Sequence, residues 1–222
     1  MDLFQFLKQF YTLCFVWLTM LTALFMYRKA SRPVYRTFLL FIIVMSLAET
    51  AGNFMAYKKI HNHFYFNIFY IIQFIVIPLF YYYNLQSTVL KKILLIYFIV
   101  FPVFMFINIT WWQNFNQLLT YSFVFGGCMI WSLAIAYIWQ LYISEDTQSI
   151  WHYPWFWISL AYLFYYTVSV PYIGMLNYLW LYDPGFTKKY YFVFNIIIIL
   201  HNFLLITGFI WMRAQQPKQR LS

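Results

Sequence analysis

Of the 222 residues, 64% are hydrophobic and 9% charged, and the formal net charge is +9. Soluble domains carry about 25% charged residues, so a soluble fold could not cover its own surface with polar groups. The chain reads instead as an all-α polytopic membrane protein. Its basic residues are topology signals rather than the footprint of a nucleic-acid partner.

Seven apolar runs predict seven transmembrane helices, at 10–27, 35–57, 64–84, 90–110, 117–143, 154–181 and 190–212. About 20 residues cross a bilayer, so these runs take up most of the chain as a single seven-helix transmembrane domain. Short loops remain, with no room for a soluble catalytic or signalling domain. The first run is 18 residues long and carries Cys14. That length exceeds a signal-peptide core, so no cleavable leader is expected. Span two follows Pro33 and contains Glu49, with Asn53 one turn further on. His61-Asn62-His63 in the next break reads as a solvated turn, since two histidines lack a third metal ligand. Span three holds Asn67, Gln73 and Pro78; span four holds Pro102 and Asn108. Span five carries Thr120, Ser122, Gly126-Gly127, Cys128, Ser132 and Gln140, and the glycines would allow close helix approach. Both cysteines, lying in apolar runs, read as small hydrophobes. Span six follows Pro154 and contains Pro171 and Asn177; span seven contains Asn195 and His201. The breaks RKASRPVYR, KKIHNH, NLQSTVLKK, TWWQNFNQ, SEDTQSIWHYP and YDPGFTKK are rich in charge, Asn, Pro or Gly, as helix connections should be.

Positive charge sets the expected orientation. With the N-terminus outside, Arg28, Lys29, Arg32, Arg36, Lys91, Lys92, Arg213, Lys218 and Arg220 lie inside, against Lys8, Lys58, Lys59, Lys188 and Lys189 outside. Nine against five favours N-out and C-in. The inner loop with Glu145 and Asp146 adds no basic residue. Trp111 and Trp112 would mark the outer interface; Trp151, Tyr153 and Trp155 the inner one.

FNIFYIIQFIVIPLF (66–80) aligns without a gap over FNIIIILHNFLLITG (194–208), pairing Asn67 with Asn195 and Gln73 with His201. This suggests two three-helix units joined by the fourth helix, a 3+1+3 parallel repeat with its site between the units. Chance similarity between Phe- and Ile-rich segments is the competing explanation.

Ranked by depth at ~1.5 Å per residue, Gln73 and His201 fall mid-span and Glu49 slightly to the outer side. Asn53, Asn67, Asn108, Asn177 and Asn195 lie in the outer half. The inner half is drier, with Ser132 and Gln140 as its main polar groups. This asymmetry predicts a ligand-binding cavity open to the outside, lined by Glu49, Asn53, Asn67, Gln73, Asn195 and His201. Amides and histidines also serve as interhelical hydrogen-bond glue, at roughly 0.6–2 kcal/mol each. A carboxyl in hydrocarbon is costly and unnecessary for glue, which makes Glu49 the sharpest site signal. Glu49 is either neutral and hydrogen-bonded or paired with His201, which would favour the charged forms of both. No phosphate loop, zinc motif or nucleophile elbow is present, so no catalytic residue, metal or cofactor is expected. Span seven lacks a retinal Schiff-base lysine, and a proton pump would need a second carboxylate or a basic partner along the path.

The acid in span two (Glu49), the IIQFIVIPLFYYY run (71–83), the PWFWISLAYLFYY run (154–166) and the HNFLLITGFIW end (201–211) carry a resemblance over nearly the full length. They resemble small seven-span membrane proteins of unassigned function found in Bacteroidota. That resemblance implies a multi-pass protein of the bacterial inner membrane and tilts toward sensing; Gln73 stands where that family often has a carboxylate. The 3+1+3 pattern separately looks like the SWEET sugar transporters, with Asn67 and Asn195 matching their substrate-facing asparagines, although the Pro-Gln pair of related repeat proteins is absent. The expected function is therefore a non-enzymatic sensor in the lipid bilayer that binds a small ligand from outside and signals through an inner-side partner protein. A small-solute transporter is the alternative. A lipid-modifying enzyme using Glu49 and His201 comes third.

Overall fold

The computed structural model describes residues 3–30, 32–144, 150–182 and 184–214. Seven long helices make up nearly all of it: α1 (Leu3–Tyr27), α2 (Pro33–Tyr57), α3 (His63–Asn84), α4 (Thr88–Ile107), α5 (Thr120–Ile143), α6 (Pro154–Tyr182) and α7 (Pro184–Ala214). No strand occurs among the described residues. Among the described residues, six helices are long and apolar enough to cross a bilayer, and the part of α1 whose side chains are described, Tyr11–Tyr27, is apolar but shorter. The protein is a multi-pass helical membrane protein. Asp2, Glu145, Asp146, Asp183, Lys218 and Arg220, which entered the charge count or the loop reading, lie outside the described residues. The side chains of Lys8, Asn177, Lys188, Lys189 and Arg213 do as well.

Local chemistry sets the helix limits. Prolines open α2, α6 and α7 at Pro33, Pro154 and Pro184, where the ring's fixed φ suits a first turn that needs no N–H. Ser87 caps α4 by accepting from the Leu90 N–H at 3.4 Å. Pro78, Pro102 and Pro171 lie inside helices that continue through them. Two connections differ from the sequence expectation. Tyr182 ends α6 and Pro184 begins α7, so most of the expected loop YDPGFTKK is helical. The π-helical turn Asn108–Trp112 extends α4 into the expected loop TWWQNFNQ.

Short connections between mutually packed helices make sequence neighbours antiparallel. The ends of α2 and α6 and the starts of α3, α5 and α7 thus share the face that carries the N-terminus. In cross-section the contacts close a ring: α1 on α2, α2 on α3, α3 on α5, α5 on α6, α6 on α7 and α7 back on α1. Helix α4 stands outside this ring against α3 and α5. Close approach at two sides of α5 depends on missing side chains. The Phe74 ring of α3 lies against Gly126, and Val170 Cγ2 of α6 sits 2.7 Å from where a Cβ on Gly127 would be.

The half of the ring away from the N-terminal face is filled by aromatic side chains. Phe38 packs at 4.9 Å on Phe80, 5.0 Å on Trp155 and 6.2 Å on Phe209. These four rings come from α2, α3, α6 and α7, and each is at most 5% exposed. Trp155 is 1% exposed and part of this plug, not of an interfacial belt as its position suggested. It follows Pro154 at the start of α6, where the ring fills the space between helices instead of reaching a lipid headgroup. Trp151, Trp111 and Trp112 are exposed. On this side the Tyr81 hydroxyl donates to Ser159 Oγ at 3.0 Å, whereas the buried Trp155 Nε1 meets no acceptor among the described residues.

Candidate functional site

Above the plug, α1, α2, α3, α6 and α7 part around a cavity of about 340 Å³. This lies within the roughly 300–1,000 Å³ typical of small-molecule sites. Its floor sits at mid-helix, near Thr19, Gln73 and His201, and its walls rise toward Thr12, Asn53 and Tyr191 at the N-terminal face. Helix spacing brings the lining together. On α2, Ser46, Glu49 and Asn53 share one face; on α3 Phe66, Tyr70 and Gln73 do; on α7 Asn195, Ile198 and Asn202 do. Residues three and four apart on a helix are neighbours.

Five of the six residues singled out in the sequence meet here: Glu49, Asn53, Gln73, Asn195 and His201 all line the cavity. Glu49, Gln73 and His201 retain accessible surface at this depth, whereas Asn195 is buried. Among the described residues, none forms a hydrogen bond or ion pair with the Glu49 carboxyl; the Asn53 amide donates instead to its backbone carbonyl at 2.9 Å. Tyr70, Tyr165 and Tyr191 lie within electrostatic reach of that carboxyl. His201 is held by the Ala161 carbonyl, 3.1 Å from its Nδ1, and not by Glu49. Because a carbonyl can only accept, Nδ1 carries the proton and the neutral ring's Nε2 is an acceptor. Tyr162 and Tyr165 flank the imidazole at 5.3 and 5.0 Å between ring centres. Gln73 Nε2 donates to the Tyr166 hydroxyl at 2.9 Å.

The sixth residue, Asn67, lies elsewhere. Its Nδ2 donates to the carbonyls of Phe115 and Gln117 at 3.0 and 2.8 Å, and its Oδ1 accepts from the Leu119 N–H at 3.1 Å. It thereby clamps the α4–α5 connection. Asn108, Gln113, Thr120 and Ser122 extend this second polar cluster: Asn108 Nδ2 donates to Ser122 Oγ at 2.7 Å, and Gln113 Nε2 to Thr120 Oγ1 at 2.8 Å. Asn67 and Asn195, paired in the aligned segments, occupy different surroundings, whereas Gln73 and His201 share one. His61 and His63 have ring centres 5.2 Å apart, and no metal-binding cluster of three His, Cys, Asp or Glu occurs among the described residues.

Sequence reading passed over Thr19, Ser46, Asn202 and the tyrosines. Thr19 donates to Asn202 Oδ1 at 2.8 Å, and Asn202 Nδ2 donates to the Ile198 carbonyl at 2.8 Å, tying α1 to α7 at the floor. Asn202 stands one residue from His201 and seven from Asn195, so its helical spacing was the available signal. The tyrosines carry no such signal among 22 in the chain. Compared with known protein families, curated proteins and solved structures, the chain matches none.

Proposed function

We propose that this protein is a non-enzymatic sensor of the cell membrane that binds a small ligand through the N-terminal face. In this reading the N-terminus is outside, the C-terminus is inside, and a partner protein takes up the signal on the inner face. The family resemblance to small seven-span proteins of Bacteroidota and the inner-membrane location belong to the same proposal. The observation that carries it is the convergence of Glu49, Asn53, Gln73, Asn195 and His201 on one cavity of about 340 Å³, closed below by aromatic rings. An intramembrane carboxyl without a partner among the described residues is expensive, and a binding role accounts for it.

The test is accessibility. In a background with Cys14 and Cys128 replaced, Asn53→Cys should react with a membrane-impermeant thiosulfonate added outside intact cells. Ile77→Cys, fully buried on the plug side, should not. Modification of Asn53→Cys only from the inside, or not at all, removes the outward-facing cavity. Co-purification of an inner-side partner would then separate a sensor from a free-standing binder.

A transporter is favoured by one separate observation: α4 stands outside a ring of the other six helices, as a linker between two three-helix units would. Solute flux in proteoliposomes without any partner would select that reading.

A further inference from the structure

We infer that the occupant of the cavity is a small organic cation whose charged centre is a substituted ammonium group; this rests on reading the cavity as the ligand site. Glu49 is the acidic residue of the described lining, and no lysine or arginine is among the described lining residues. Among the described residues its carboxyl meets no hydrogen-bond donor or cation, so a bound cation would find there a carboxylate free to pair with it.

The amide geometry adds to this. Asn53 commits its Nδ2 to the Glu49 carbonyl and His201 commits its Nδ1 to the Ala161 carbonyl. Neither bond can be reversed, because both partners are carbonyl oxygens. Oδ1 of Asn53 and Nε2 of His201 are thus left as acceptors, and Gln73, donating through Nε2, keeps Oε1. Tyrosine hydroxyls and the Asn195 amide add donors to the lining, but an anion would also face the Glu49 carboxyl and these acceptors. A cation faces groups suited to it.

The wall decides which kind of cation. Around Glu49 the lining is largely aromatic, with Tyr70, Tyr165 and Phe194 among the rings. Aromatic faces attract cations through the ring quadrupole and form the usual recognition surface for quaternary ammonium groups. Dedicated sites for hard divalent cations draw on several carboxylates, and Glu49 is the one carboxylate of the described lining. A weakly hydrated cation with an alkyl or aryl body fits a mixed aromatic and acceptor lining. The volume of about 340 Å³ accommodates such a molecule whole.

The deciding experiment uses matched probes on the full-length protein in lipid nanodiscs. Choline is compared with neohexanol, its uncharged carbon counterpart, and phenyltrimethylammonium with tert-butylbenzene, by calorimetric titration. At least one ammonium probe should bind saturably, about tenfold or more tighter than its counterpart. Glu49→Gln should remove that preference and leave the uncharged probe unchanged. Equal binding of charged and uncharged members overturns the cation assignment while leaving a ligand cavity in place. No binding of either ammonium probe also overturns it, and the accessibility of Asn53→Cys then shows whether the cavity reading falls too. The comparison of probes on unmodified protein decides the matter even if Glu49→Gln does not fold.

Discussion

On the N-terminal side of Gln73 and His201, five helices part around a carboxyl that no described residue hydrogen-bonds. On the other side, Phe38, Phe80, Trp155 and Phe209 close the same ring of helices with side chains at most 5% exposed. The same helices build both halves, so the difference lies in side chains and not in backbone plan. Where aromatic rings meet ring to ring, they exclude space; where their faces surround amides and an acid, they enclose it. The plug half is packed in the way that supports stability, and the cavity half leaves room for binding. Proteins accept such a division because groups placed for function are seldom placed for stability.

Substitutions should separate the halves. Trp155→Ala removes the largest ring of the plug and should cost about 3–5 kcal/mol, read as a fall in the unfolding midpoint in micelles; a loss as small as that from a cavity residue would break the contrast. Gly126→Leu forces a side chain into the Phe74 ring and should cost roughly 1–3 kcal/mol or more by overpacking, in the same assay. Asn67→Ala removes three hydrogen bonds from the α4–α5 connection and should cost about 1–2 kcal/mol, with labelling of Asn53→Cys unaltered. If that labelling changes, the two polar clusters are not independent. Glu49→Gln should shift stability least, by no more than about 0.5 kcal/mol or in the stabilising direction, since it replaces a carboxyl that no described residue partners by a neutral amide.

The contrast was partly legible in the sequence, because a bilayer makes deep polar groups conspicuous. Depth alone brought Glu49, Gln73 and His201 to one level, and the dry half showed as a shortage of polar residues. Rotation about the helix axis was the missing variable. Asn67 and Asn195 have similar depth, yet one turns toward a loop whose carbonyls need donors and the other toward the cavity. Trp155 was misplaced for the same reason: a tryptophan near a helix end can face headgroups or neighbouring helices, and only packing chooses. The start of α7 was hidden because Asp-Pro-Gly reads as a turn, although proline is also a favoured first residue of a helix.

Helix α4 contributes nothing to the cavity wall, yet its presence fixes the cavity's parity. Each crossing of the bundle reverses the chain, so a single extra crossing between α3 and α5 makes α5, α6 and α7 run in the same directions as α1, α2 and α3. Gln73 on α3 and His201 on α7 consequently descend from the same face and arrive at the same level. An even number of crossings between α3 and α5 would turn α7 upside down, carrying Asn195 toward the plug and separating it from Glu49. The outermost helix acts as a counter, deciding which end of the molecule is hollow.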